Sequence, residues 1–61
     1  MNCKIGDTVQ VNMPDGWLTG KVTAVYPHYG FHGGELKYEV HGEGKPFVTI
    51  VSERNIRAEV K

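Results

Sequence analysis

Few residues in this chain carry chemistry, and they are scattered. Aromatic rings gather at Tyr26, Tyr29 and Phe31, with Trp17 upstream and Phe47 downstream. Flat π faces stack on unpaired nucleobases, so Trp17, Tyr29 and Phe31 make one candidate platform for single-stranded nucleic acid. His28, His32 and His41 supply metal-ligating nitrogens. The four-residue spacing of the first two brings their rings together only on a helix, and both stand in a glycine-rich stretch. Solvated loop histidines and no metal site are expected. Cys3 is the single cysteine, and no Ser, Cys and His grouping has the setting of an activated nucleophile, so no catalytic residue is assigned. Lys45, Arg54, Arg57 and Lys61 could form a basic edge, but Glu53 and Glu59 are interleaved with them, which predicts a mixed, solvated surface.

Composition narrows the function classes further. The seven Lys and Arg balance the seven Asp and Glu, and the signs alternate along the chain instead of forming blocks. A partner held mainly through its phosphates needs clustered cations, so nucleic acid ranks below protein as a partner. With 61 residues there is one domain, spanning residues 1–61. At that size only ~60% of the unfolded chain's surface is buried, so stability is marginal and self-association would help. One cysteine permits no disulfide within the chain. No apolar run approaches the ~18 residues of a membrane-crossing helix, and the first residues lack the apolar core of a signal peptide. The expectation is a cytoplasmic protein without membrane contact or cofactor.

The elements that must position these groups read as strands. Residues 17–26 are the longest strand-like run, entered through Pro14, Asp15 and Gly16, where the Asp-Gly pair supplies the positive φ of a tight hairpin. Strict alternation puts Leu18, Gly20, Val22, Ala24 and Tyr26 on one face and Trp17, Thr19, Lys21, Thr23 and Val25 on the other. Gly20 is where the strand bends. Residues 8–12 form a shorter first strand with Val9 and Val11 inward. Residues 27–35, with one Pro and three Gly, read as the longest loop. Leu36, Tyr38 and Val40 face inward on a third strand, and residues 42–45 close a hairpin into a fourth at 46–51. Val48 and Ile50 are assigned inward there, which sends Phe47, Thr49 and Val51 outward. Ser52 caps one helical turn at 52–55, and residues 56–59 end the chain as a short strand. The reading is an all-β chain of five short strands with one helical turn before the last.

Several of these pieces match a known layout. A Gly6-Asp7 pair before the first strand, the turn into Trp17, the Gly20-x-Val22 continuation and the Tyr38-x-Val40 strand resemble the SH3-like barrels, as does the apolar strand leading through one helical turn to a terminal strand. Tudor-type domains are the nearest kin, over roughly residues 5–58. The resemblance implies a five-stranded barrel and a binding role. Tudor domains hold methylated lysine or arginine in an aromatic cage, because π faces attract a desolvated cation. That implies Trp17 as the cage residue, with Tyr26, Tyr29, Phe31 and Phe47 as walls. His41 stands where cage-bearing relatives carry an aromatic, and a lone Trp also serves as a packing residue. The layout is also similar to the plasmid-borne type B, trimethoprim-insensitive dihydrofolate reductases, small barrels that form a tetramer around one pore. That family binds cofactor and folate on a Val-Gln-Ile-Tyr strand and meets their charge with a lysine on the first strand. Here Thr49 takes the glutamine's place, Val51 the tyrosine's and Val11 the lysine's, so the amide and the cation are both missing.

The functional expectation is a small non-enzymatic interaction module, an accessory protein of a bacterium, plasmid or phage, that binds a protein partner or its own copies. Trp17, Tyr26, Tyr29, Phe31, Phe47, Thr49 and Val51 are the candidate binding residues. A reductase-like enzyme and a single-stranded nucleic-acid binder are the alternatives. Phe47, Thr49 and Val51 on one outer face predict a homo-oligomer, unless the 27–35 loop folds over that face with Tyr29 and Phe31.

Overall fold

The computed structural model describes residues 3–30 and 34–58. Five strands run in order, β1 (Thr8–Met13), β2 (Gly16–Tyr29), β3 (Glu35–Gly42), β4 (Val48–Ser52) and β5 (Ile56–Ala58), with one 3-10 turn at Glu53–Asn55 before the last. All neighbours are antiparallel in the spatial order β4-β3-β2-β1-β5. The chain is therefore all-β, as the alternation predicted. Among the described residues the sheet is not closed, since β4 and β5 pair on one side only.

Connectivity forces that sheet to curl. Laid flat, β4 and β5 would stand roughly 19 Å apart across four strand spacings. Residues 52 to 56 span at most about 14 Å when fully extended. The two edges must swing toward each other, and the concave side becomes the core. That core holds Val9, Val11, Val22, Tyr38, Val40, Val51 and Ile56, with Cys3, Met13, Val25 and Leu36 packed against it. Among the described residues no helix is long and apolar enough to cross a membrane.

The β1–β2 hairpin differs in detail from the sequence reading. Met13 pairs with Gly16, so Pro14 and Asp15 are the loop residues. Proline's ring holds φ negative, and Gly16, just after the loop, takes a positive φ of 122°. Ahead of β1, the Asp7 amide donates to the Lys4 carbonyl at 3.0 Å and the Lys4 amide donates to Asp7 Oδ2 at 2.9 Å. The Gly6 amide donates to the Val22 carbonyl and the Val22 amide to the Asp7 carbonyl, which ties this turn to β2.

β2 is not uniformly alternating. Val22 and Ala24 oppose the consecutive residues Val40 and Glu39, which leaves Thr23 as an extra residue. Its hydroxyl is bonded to Glu39, at 2.8 Å from Oε2 and 3.3 Å from the carbonyl. A bulge of this kind reverses the faces beyond it. Val25, expected outward, therefore lies opposite Tyr38 and packs on the core, while Tyr26, expected inward, lies opposite Lys37. A second shift between Tyr26 and Tyr29 absorbs Pro27, which has no amide to donate. The predicted loop at 27–35 is thus shorter: Pro27, His28 and Tyr29 belong to β2 and Glu35 to β3.

β4 requires the larger correction. It starts at Val48, and its faces are opposite to those expected. Val51 is 8% exposed, whereas Val48 is 48% and Ile50 39% exposed. Pairing with β3 decides the phase: Thr49 and Val51 lie beside the buried Val40 and Tyr38, while Val48 and Ile50 lie beside His41 and Glu39. Polar neighbours belong outside, and they carry Val48 and Ile50 with them.

Candidate functional site

Three of the exposed large apolar residues lie at β4, while Ile5, Trp17 and Tyr29 lie elsewhere. Phe47, 48% exposed, stands at its start, and Val48 and Ile50 continue along its outer face. Among the described residues no strand pairs with the free edge of β4. At the Phe47 end lies a groove of about 230 Å³ whose lining includes Met13, Asp15, Trp17, Leu18, Lys45 and Phe47. The β1–β2 hairpin supplies one wall. The turn after β3 supplies the other, held by the Lys45 amide donating to the Gly42 carbonyl at 3.0 Å and the Glu43 amide to the Thr19 carbonyl at 2.9 Å. An aromatic floor with one carboxylate and one ammonium at its rim suits a polypeptide better than a uniformly charged ligand.

Trp17 is 43% exposed and already carries a cation. The Arg57 guanidinium lies 3.7 Å from its ring centroid, and Arg57 Nε donates to Gln10 Oε1 at 2.8 Å. The register explains the meeting. Arg57 lies opposite Gln10, and Gln10 lies opposite Thr19, two residues beyond Trp17 on the same face. Sequence reasoning missed this contact because the alternation puts both residues outward but does not say that β5 lies against β1.

The other predicted site residues lie elsewhere. Tyr26 and Tyr29 pack on each other, with ring centroids 5.7 Å apart and planes tilted by 52°. Tyr26 stands in the row of Lys37 and Ser52, at the opposite end of β4 from Phe47. The four described members of the expected cage therefore do not come together: Trp17 and Phe47 share a groove, and Tyr26 and Tyr29 share another place. Phe31 lies outside the described residues. Thr49 and Val51 face the core side, which removes them from any outer binding face. Tyr29, 45% exposed beside Tyr26, does not cover Val48 and Ile50. His28 and His41 stand at opposite ends of β3, roughly 20 Å apart along the strand. His32 lies outside the described residues. Of the basic edge, Arg57 is committed to Trp17, Lys45 lines the groove and Lys61 lies outside the described residues.

A polar network marks the far end of β4. Lys37 Nζ donates to Ser52 Oγ at 2.6 Å and lies 2.6 Å from Glu35 Oε1, and Ser52 Oγ donates to the same carboxylate oxygen at 3.4 Å. The Lys37 ammonium, by hydrogen bond and by charge, holds the Glu35 carboxyl below the usual carboxylate range. Ser52 precedes the 3-10 turn as expected but makes no side-chain cap bond. Its buried hydroxyl is satisfied across the sheet instead. A serine and a lysine at this distance can form a nucleophile and base. Here the ammonium is ion-paired and donates to the hydroxyl, which locks the β3–β4 register. Cys3 is half-buried against the core; burial, reinforced by the Asp7 carboxylate, pushes its thiol up and away from the reactive thiolate form.

A second, larger groove of about 510 Å³ is lined by Thr8, Gly20, Lys21, His41, Glu43 and Gly44. It brings both signs of charge together without any of the exposed large apolar side chains, so size alone does not make it the better site. Compared with protein-family models, curated proteins and solved structures, the chain matches none.

Proposed function

We propose that this chain is a non-enzymatic interaction module, an SH3-like barrel of the Tudor-like kind, that binds an extended polypeptide segment along β4 and into the Trp17–Phe47 groove. The observation that carries this reading is the coincidence of an unpaired strand edge with the exposed apolar side chains of Phe47, Val48 and Ile50. An open edge offers main-chain hydrogen bonds to an incoming strand, and alternate apolar side chains give that strand its specificity. The strand order, the bulged β2 and the 3-10 turn before β5 support the barrel assignment. The reductase-like reading has less support, because Thr49 and Val51 turn toward the core side and present no ligand-binding face.

Selection of displayed peptides on the purified chain tests this reading. Extended, apolar-alternating sequences that bind the parent and lose at least about tenfold in affinity for Ile50→Lys are expected, a loss equivalent to 1.4 kcal/mol. Peptides that bind both proteins equally would place the binding surface elsewhere.

A further inference from the structure

We propose that a second copy of this chain occupies the free edge of β4, pairing β4 with β4 antiparallel about a two-fold axis to give one continuous ten-stranded sheet. The proposal rests on β4 being the binding edge and names its occupant.

The two open edges of the sheet are not equivalent. β5 is three residues long and carries Arg57 on its outer face, already engaged with Trp17 and Gln10. Charge on a short edge strand is a usual protection against pairing. β4 has five residues, none charged, with Val48 and Ile50 exposed on its outer face. Pairing β4 with the partner's β5 would be head-to-tail and would propagate. Pairing β4 with itself closes at two copies.

The sequence of β4 also selects a register. A two-fold axis normal to the sheet keeps outer residues opposite outer residues. With the axis at Thr49, Val48 of each copy lies opposite Ile50 of the other, and both apolar pairs are matched. Beyond each end of the paired strands, Lys45 in the turn before β4 and Glu53 in the 3-10 turn bring opposite charges to the same end of the two copies, so the flanking charges are complementary and not opposed. With the axis at Ile50, Val48 would face Ser52 and Phe47 would face Glu53. The Thr49-centred register is favoured on both counts. The pairing is small against the about 800 Å² per partner of a standard stable interface, so a weak dimer that forms only at high concentration is expected.

Sedimentation of the full chain at increasing concentration, up to about 1 mM, tests the proposal. The mass should double with concentration, and Ile50→Lys should stay monomeric with an unchanged circular dichroism spectrum. In a Cys3→Ser background, Thr49→Cys should cross-link to its copy faster than Ile50→Cys under mild oxidation. If Ile50→Lys fails to fold, charge reversal substitutes for it: Lys45→Glu should weaken the dimer and adding Glu53→Lys should restore it. A monomer at every concentration overturns the proposal, as does a dimer that persists in folded Ile50→Lys. A monomer whose β4 still captures selected peptides overturns self-pairing and leaves the broader binding reading intact.

Discussion

At Gly20 the β2 backbone passes so close to β3 that a Cβ would stand 2.6 Å from the His41 carbonyl oxygen and 2.7 Å from Val40 Cγ1. Neither atom can withdraw, since one belongs to a ladder and the other to a fully buried side chain. Gly20→Val should cost more than about 2 kcal/mol in chemical denaturation, and an unchanged midpoint would contradict the packing described. The sequence pointed to Gly20 for a related reason, a bend, but the bulge sits at Thr23, whose identity gives no warning of it. The Arg57–Trp17 contact is exposed, so Arg57→Ala should shift the emission of the single tryptophan while lowering stability by only about 0.5–1 kcal/mol. At Glu35 the carboxyl is held below its ordinary range in the fold. Its contribution is present above that range and is lost as the pH falls through the lowered value. Glu35→Gln should therefore lower stability slightly at neutral pH and flatten the acid limb below about pH 4.5, the two proteins converging in acid; a parallel, undiminished acid loss would show that the ion pair does not contribute.

The strands whose polar and apolar residues alternate cleanly were legible from composition. Val9 and Val11 on β1, and Tyr38 and Val40 on β3, are buried as their spacing implies. β4 was not legible in this way, because Phe47, Val48, Thr49, Ile50 and Val51 offer apolar residues in both phases. Its phase is set by long-range pairing with His41 and Glu39, which no local pattern reports. The far half of β2 failed for a similar reason, since one extra residue reverses every face beyond it. The β4 correction makes a sharp forecast about two adjacent positions. Val51→Lys should destabilise by about 3 kcal/mol or more, or prevent folding, because it buries a charge against Tyr38. Ile50→Lys should fold with stability within about 0.5 kcal/mol of the parent. The reverse ranking in thermal or denaturant unfolding would restore the original phase.

The molecule is a small core wrapped by a curled sheet that is open among the described residues, and its candidate site is a consequence of how that sheet ends. The run of neighbours from β1 to β4 follows the order of the elements, but the placement of β5 beside β1, and with it the location of the free edges, is not given by any local pattern. The separation of Trp17 and Phe47 from Tyr26 and Tyr29 also depends on register. We propose that binding occurs on the outer face and free edge of β4. Mapping backbone amide shifts in a labelled sample, as a selected peptide is added, addresses that claim residue by residue. Perturbation is predicted along residues 45–52 and at the Trp17 indole. Perturbation confined to the Tyr26–Tyr29 end of β2, or to the groove between Lys21 and His41, would contradict it.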